Sequence, residues 1–383
     1  MNERPSRARI LLVVRWPVGG IRTYLREMLR QDSFGDLDIT VLMARSNESD
    51  ALIQETTNRN VTWRVVDGST RSLLRAASGE VMRGSYALVH AHGITAAMCV
   101  SVAGFLRRVP MIVTAHEVFT AGQFRGWRGA LKRRAISAAL RAFQVIHVVS
   151  RDAALNMSEF MPGLAKRAGR LQVVTHGVDV ARFSAGNRRD LRNELRLDPD
   201  VRLFGFFGRF MAPKGFRVLI RAAELLAARA DVGRFVVACA GSSGFVREDR
   251  DVLKSKGLSE KFFFLPFERD IAPTLKGVDA VVMPSLWEAS GLLAMEALVS
   301  GTPLIASNCI GLRETVEETP ARVAQFGNAE SLAQAMAEEI STSSKETAGT
   351  FMPEAARRFD ARSSFAQVRA LYSRLCGNSG DAR

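Results

Sequence analysis

Short β-branched apolar runs alternate with segments of helical period from one end of the chain to the other. That alternation predicts strands crossing over through helices into parallel sheets. In the first half the runs predict strands at Ile10–Val14, Ile39–Met43, Val61–Val66, Leu88–His90, Met111–Thr114, Val145–Val149 and Leu171–Val174. Helices are expected between them, among them Ile21–Arg30 and Ser72–Met82. A polar stretch from Ser184 to Asp200 interrupts the pattern, which then restarts. The second set of strands is Leu203–Phe207, Phe235–Ala240, Phe262–Leu265, Ala280–Met283 and Leu304–Ala306, with helices such as Phe216–Arg229 and Leu292–Val299. A last helix is expected at Arg362–Cys376.

The fold expectation is α/β, with two doubly wound, Rossmann-like domains facing one another across a cleft. Ligands of such sheets bind where strand ends and loops gather. The domains would be residues 1–185 and 201–350, joined by a linker at 186–200, with a helical tail at 351–383 that can pack back on the first domain. With 383 residues there is enough chain for two ordinary cores.

Composition changes this picture little. Hydrophobic residues make up 47% and charged ones 24%, which excludes a disordered chain. Cys99, Cys239, Cys309 and Cys376 are scattered without paired spacing, which fits a reducing compartment and argues against a zinc site. The apolar run Ile10–Val14 is stopped by Arg15, too early for a secretory segment, and no stretch is long enough to span a membrane. A cytoplasmic protein is expected. Fifty-three basic against thirty-nine acidic residues leave a formal charge of +14, which favours an anionic partner of some kind.

Chemistry concentrates in the second half. In Pro284-Ser285-Leu286-Trp287-Glu288-Ala289-Ser290-Gly291-Leu292 a strand ends, a loop carries Glu288 and a helix begins near Gly291. The free amides of such a helix start suit a diphosphate. Glu296 lies eight positions beyond Glu288, about 12 Å if the interval is helical. Carboxylates at that separation can accept hydrogen bonds from the hydroxyls of a hexose and a ribose bridged by pyrophosphate. In Phe206-Phe207-Gly208-Arg209-Phe210-Met211-Ala212-Pro213-Lys214-Gly215 two cations follow an apolar strand. Arg209 and Lys214 would offset the charge that grows on a departing diphosphate.

These segments resemble the retaining family-4 glycosyltransferases of GT-B fold, in which a G-R-x-x-x-x-K-G turn accompanies an E-x7-E motif. The resemblance extends to Gly19-Gly20-Ile21, Val89-His90-Ala91-His92-Gly93, Val113-Thr114-Ala115-His116, Gly177-Val178-Asp179 with Phe183, and Phe326–Leu332. It implies that Glu288 contacts the transferred sugar and Glu296 the ribose. Arg209 and Lys214 would hold the diphosphate, helped by the amides of Gly20, Gly291 and Leu292, with Gly19 and Ser290 in the same donor site. His116 would reach sugar or acceptor. The resemblance further implies transfer with retention and no metal or other cofactor. The acceptor would be a sugar or a lipid-linked molecule of a surface-polysaccharide or glycolipid pathway. His176 and Ser290 depart from the usual Asn and Phe, and only Gly311 remains of a common Gly pair before Glu314.

His90 and His92 alternate on one strand and so share a face, but no Cys or carboxylate nearby completes a metal site. The Gly19-Gly20 pair reads equally as a tight turn or a phosphate cradle. Segment 124–143 holds six basic residues and no acidic one, with Trp127, Leu131, Ala135 and Ala138 at near-helical spacing. It suits the anionic inner face of the plasma membrane, or equally a helix packed on its own sheet with a solvated basic side. Two rival functions are a sugar-nucleotide epimerase on the same scaffold and a noncatalytic membrane or nucleic-acid binder. No helix-turn-helix, RNA-binding aromatic or zinc-finger pattern supports a nucleic-acid partner.

Overall fold

A computed structural model describes residues 7–377 apart from 57, 59, 166–168, 242–245, 267 and 269. The chain forms two compact units. The first runs to His176 and resumes at Ala361, and the second is Gly177–Asp360.

The first unit carries a seven-stranded sheet: β1 (Arg9–Val14), β2 (Asp38–Ala44), β3 (Val61–Val66), β4 (Leu88–His92), β5 (Met111–Ala115), β6 (Val145–Val148) and β7 (Leu171–Val173). Their order is β3-β2-β1-β4-β5-β6-β7, and every pairing is parallel. Parallel neighbours need crossovers, which are right-handed. Helices Thr70–Arg83, Ile94–Arg107 and Gly126–Leu140 therefore pack side by side. On the core formed with the opposite face, Ile10, Leu12, Val14, Ile39, Val41 and Met43 meet Tyr24, Leu25 and Met28 of helix Gly20–Arg30. Helix Ala361–Gly377 adds Phe365, Val368, Leu371 and Tyr372 to that core. Burying each of these large side chains is worth about 2 kcal/mol, enough to hold the returning segment.

The second unit carries β8 (Arg202–Phe207), β9 (Phe235–Ala240), β10 (Phe262–Phe264), β11 (Ala280–Met283), β12 (Leu304–Ser307) and β13 (Arg322–Ala324). The order is β10-β9-β8-β11-β12-β13, again all parallel. Both faces are covered, so alternate residues of one strand enter different cores. Phe204 and Phe206 pack with Leu219 and Ile220, whereas Leu203 and Phe207 pack with Ala294 and Leu298.

Both sheets reverse direction next to their first strand, between β1 and β4 and between β8 and β11. Loops leaving the carboxyl ends of those strands are where a ligand of such a sheet binds.

Two boundaries differ from the sequence expectation. The polar stretch 186–200 is not a linker between domains: it lies in the second unit, where Phe183 and Leu191 are buried in the core beside β8. Residues 351–360 also belong to that unit, and only the chain from Ala361 joins the first. Val178 N–H donates to the Phe359 carbonyl at 2.8 Å, and Val178 bridges Asp360. The two strands passing between units are thus hydrogen-bonded to each other.

Candidate functional site

In the second unit, β8 and β11 are adjacent, and the residues singled out by sequence leave their carboxyl ends. The β8 loop passes Gly208 and Arg209 and turns through Ala212–Lys214 into helix Phe216–Ala227. Gly215 closes that turn at φ 70°, and a Cβ there would collide with the Pro284 carbonyl. This close approach brings the β8 loop against the β11 loop. Leu286 N–H donates to the Pro213 carbonyl at 2.8 Å.

The outcome is a defined ion pair. Lys214 Nζ lies 2.8 and 3.0 Å from the two Glu288 carboxylate oxygens, and Ser285 Oγ donates to Glu288 Oε1 at 2.7 Å. Arg209, half-buried on the same loop, has no ion-pair partner among the described residues. Beneath them, burial holds the Cys309 thiol protonated, its pKa pushed up to about 11, so it adds no charge.

Glu288 is steadied from behind. Its N–H donates to the Ile310 carbonyl at 3.0 Å. Gly311, at φ 76°, lies so close that a Cβ would strike the Glu288 carbonyl. We expect Gly311→Ala to lower stability by about 2 kcal/mol through strain and overlap, and to weaken donor binding with it. A melting temperature equal to that of the parent protein would contradict this packing.

Helix Leu292–Val299 begins directly after the loop, and its N-cap, Gly291, makes no side-chain capping bond. The leading amides of Leu292 and Leu293 have no protein acceptor among the described residues. Such an amino end attracts an anion. Ser290 is buried at the loop's end, and its carbonyl accepts from Thr315 Oγ1. Glu296 is half-buried on the second turn. The helix covers only part of the interval from Glu288 to Glu296, so the 12 Å expected from a continuous helix does not apply.

In the first unit, the Gly19-Gly20 turn follows β1, with Gly19 at φ 57° as the N-cap of helix Gly20–Arg30. The resemblance gives the Gly20 amide to the donor phosphate; the amide of its neighbour Gly19 donates to Glu48 Oε2 at 3.1 Å, and Arg22 Nε lies 3.5 Å from the same oxygen. An anion does occupy this turn, but it is the protein's own carboxylate. Nothing in the sequence pattern marked Glu48. Glu117 went unmarked too; it accepts from Ile94 N–H at 3.0 Å at the start of helix Ile94–Arg107.

His116 joins a cluster that sequence reasoning saw only in part. All five histidines of the chain, His90, His92, His116, His147 and His176, gather around Tyr24 and the β4, β5 and β6 ends. His92 Nδ1 and His116 Nε2 are 3.2 Å apart, and the His116 ring stands edge-on to Tyr24 with centroids 5.2 Å apart. Burial is the main cause that pushes every imidazole below its usual range, His147 to about 4 and His176 to about 3. These rings are neutral at pH 7.

Neutrality fixes the direction of a proton chain. His147 Nε2 is 2.9 Å from the Val174 carbonyl, which can only accept, so Nε2 carries the proton and Nδ1 accepts. Thr114 Oγ1 then donates to His147 Nδ1 at 2.8 Å and accepts from His90 Nε2 at 2.7 Å. His90 Nδ1 is left to accept from the Tyr372 hydroxyl at 2.6 Å. Both nitrogens of His90 are therefore engaged by hydroxyls rather than offered to a metal.

Comparison with known proteins defines the class. Residues 18–182 match the family model described as Glycosyltransferase Family 4, and residues 201–341 match that described as Glycosyl transferases group 1. The chain is a glycosyltransferase of GT-B fold, with a family-4 domain followed by a group-1 domain. Among particular relatives, it is 29% identical over 349 residues to the D-inositol 3-phosphate glycosyltransferase of Rhodococcus opacus strain B4, covering 81% of this chain and 77% of the relative. The Nocardia farcinica enzyme of the same name is 28% identical, covering 83% and 78%. A structure of Anabaena HepE in complex with UDP and glucose superposes with a TM-score of 0.81 at 21% identity, covering 96% of this chain and 100% of that one. Sucrose-phosphate synthase from Thermosynechococcus elongatus superposes with a TM-score of 0.79 at 18% identity, covering 97% and 100%. The glycosyltransferase assignment displaces both the epimerase and the noncatalytic reading.

Proposed function

We propose that the protein transfers a sugar from a nucleoside diphosphate sugar to an acceptor hydroxyl, with retention at the anomeric carbon. The reading rests on one arrangement. The cations Arg209 and Lys214, the carboxylate of Glu288 and the amino end of helix Leu292–Val299 all leave adjacent strands at the reversal point of the second sheet.

In this reading the diphosphate sits against Arg209, Lys214 and the amides of Gly291 and Leu292, with Ser290 in the wall. Glu288 holds the transferred sugar and Glu296 the ribose. The Gly19-Gly20 turn goes with the donor phosphates, and His116 with the sugar or acceptor. The acceptor oxygen bonds to the anomeric carbon as the bond to the diphosphate oxygen breaks, and the acceptor's proton leaves with the diphosphate. Positioning and charge stabilisation of the leaving group supply the rate. Two fixed cations meet that need without a metal, so chelation by EDTA leaves activity unchanged.

The acceptor is a sugar or a lipid-linked molecule in surface-polysaccharide or glycolipid synthesis on the cytoplasmic side of a membrane. The names of the relatives make inositol phosphate the first acceptor to assay, and the Anabaena complex makes UDP-glucose the first donor. Among the described residues no helix is long and apolar enough to cross a membrane.

The test is a panel of nucleotide sugars. A true donor at about a hundred times its Kd adds about 2.7 kcal/mol and raises the melting temperature by several degrees. NMR of the product then reads the anomeric configuration. A panel without any stabilising member would sink the donor site, and an inverted product would sink retention.

A further inference from the structure

The helices Ile94–Arg107 and Gly126–Leu140 carry a surface that the proposed sugar transfer does not use. They pack beside each other in the first unit. Each follows a parallel strand, so the two run in the same direction.

The stripe predicted from sequence on the second helix does not face the sheet. Gly129, Ile136 and Leu140 make the buried side, and Trp127 and Leu131 are 72% and 60% exposed. The neighbouring helix adds Val102, Phe105 and Leu106, at 69%, 69% and 65% exposure, on its own outward side. Large apolar side chains this exposed on adjacent helices exceed the scattered single residues normal for a surface.

Charge accompanies them. Between Ile94 and Ser150 the chain has eight basic residues, from Arg107 to Arg141, and one acidic residue, Glu117. All eight are exposed, and none forms an ion pair with a described carboxylate. Glu117 is only partly exposed and accepts the amide of Ile94. Among the described residues no carboxylate forms an ion pair with Arg107, Arg108, Arg128, Lys132, Arg133 or Arg134.

We propose that this two-helix face docks on an anionic phospholipid bilayer, with Trp127, Leu131, Phe105 and Leu106 entering the interface and the cations meeting lipid phosphates. Unpaired cations around apolar anchors match the headgroup and acyl layers of such a surface. Nucleic acid would satisfy the cations and leave the apolar side chains in water. A protein partner would have to be acidic and apolar at once. The bilayer takes both features together, and docking here brings the enzyme to acceptors held in the membrane.

The experiment is co-sedimentation of the full chain with vesicles of phosphatidylglycerol and phosphatidylcholine in equal parts, against pure phosphatidylcholine vesicles and duplex DNA. The expected result is binding to the anionic vesicles alone. Each surface cation contributes about fivefold in partitioning, so Lys132→Glu/Arg133→Glu/Arg134→Glu lowers it by more than about a hundredfold. Phe105→Ser/Trp127→Ser lowers it by about tenfold or more even at low salt. Both variants keep the parent's melting temperature, because all five positions are exposed. Equal sedimentation with both vesicle types would overturn the proposal. So would anionic-vesicle binding untouched by the Phe105/Trp127 variant, or DNA binding that the charge variant alone abolishes.

Discussion

Replacing Lys214 with Ala lowers sugar transfer by about a thousandfold while the protein stays folded. The side chain is one of two cations on the β8 loop, and its partner in the structure is the Glu288 carboxylate at 2.8 Å. When a donor is bound, the same ammonium would lie between that carboxylate and the diphosphate. Removing a preorganised charge from a leaving-group site costs about 3–4 kcal/mol of transition-state stabilisation. The stability cost is far smaller, since both side chains keep some exposure and surface-type pairs contribute about 1 kcal/mol at most. Steady-state kinetics with UDP-glucose, set beside a melting curve, separates the two effects. The decisive pattern is a collapse in kcat/KM with an unchanged fold, and Glu296→Ala follows the same pattern through the ribose. Wild-type rates in both variants would remove these residues from the site.

Acid unfolds the first unit at a pH where most proteins of its size are still stable. His147 and His176 sit at about 4 and about 3, and His90, His92 and His116 lie well below their usual range, all chiefly because they are buried. In the unfolded chain each would titrate near 6.5. Below that value the unfolded chain takes up protons the fold refuses, so stability is full above pH 6.5 and falls as pH drops towards 4. Each such group contributes a slope of about 1.4 kcal/mol per pH unit. Two of them over two units amount to about 5 kcal/mol, a large part of a typical folding free energy. Circular dichroism melts from pH 7 to 4.5 should show a steep loss on the acid side. His147→Gln can still donate to Val174 and accept from Thr114, and it should flatten that loss. A melting temperature that holds level to pH 4.5 would contradict the neutral cluster.

Strands were the most legible part of the chain because their apolar runs are continuous. Val61–Val66, Phe235–Ala240 and Ala280–Met283 lie where the pattern placed them, and most other ends moved by a residue or two. The edge strand β13 was missed: it has three residues, begins with Arg322, and is recognisable only through its pairing with β12. The division into units misled for a related reason. Polar composition suggested a linker at 186–200, but Leu191, fully buried, ties that stretch to the second core through a contact no local window contains. Of the candidate site, Arg209, Lys214, Glu288 and Gly291 could be singled out because they follow closely on strand ends. Glu48, Thr114 and Tyr372 could not, since Glu48 acts across 29 residues and Tyr372 across 282. His116 was marked singly, whereas the structure makes it one ring among five.

The interleaving of the two units bears on how the protein is made. Gly177–Asp360 is continuous, so a ribosome can release it whole before the segment from Ala361 onward has been translated. The earlier-made sheet must wait. Its Tyr372 hydroxyl and the apolar side of its closing helix come from residues made after the second unit, and until they arrive the surroundings of Phe34 and His90 lack those partners. A stop codon shortly before Phe365 would cost the cell the opposite end of the protein from the one it deletes.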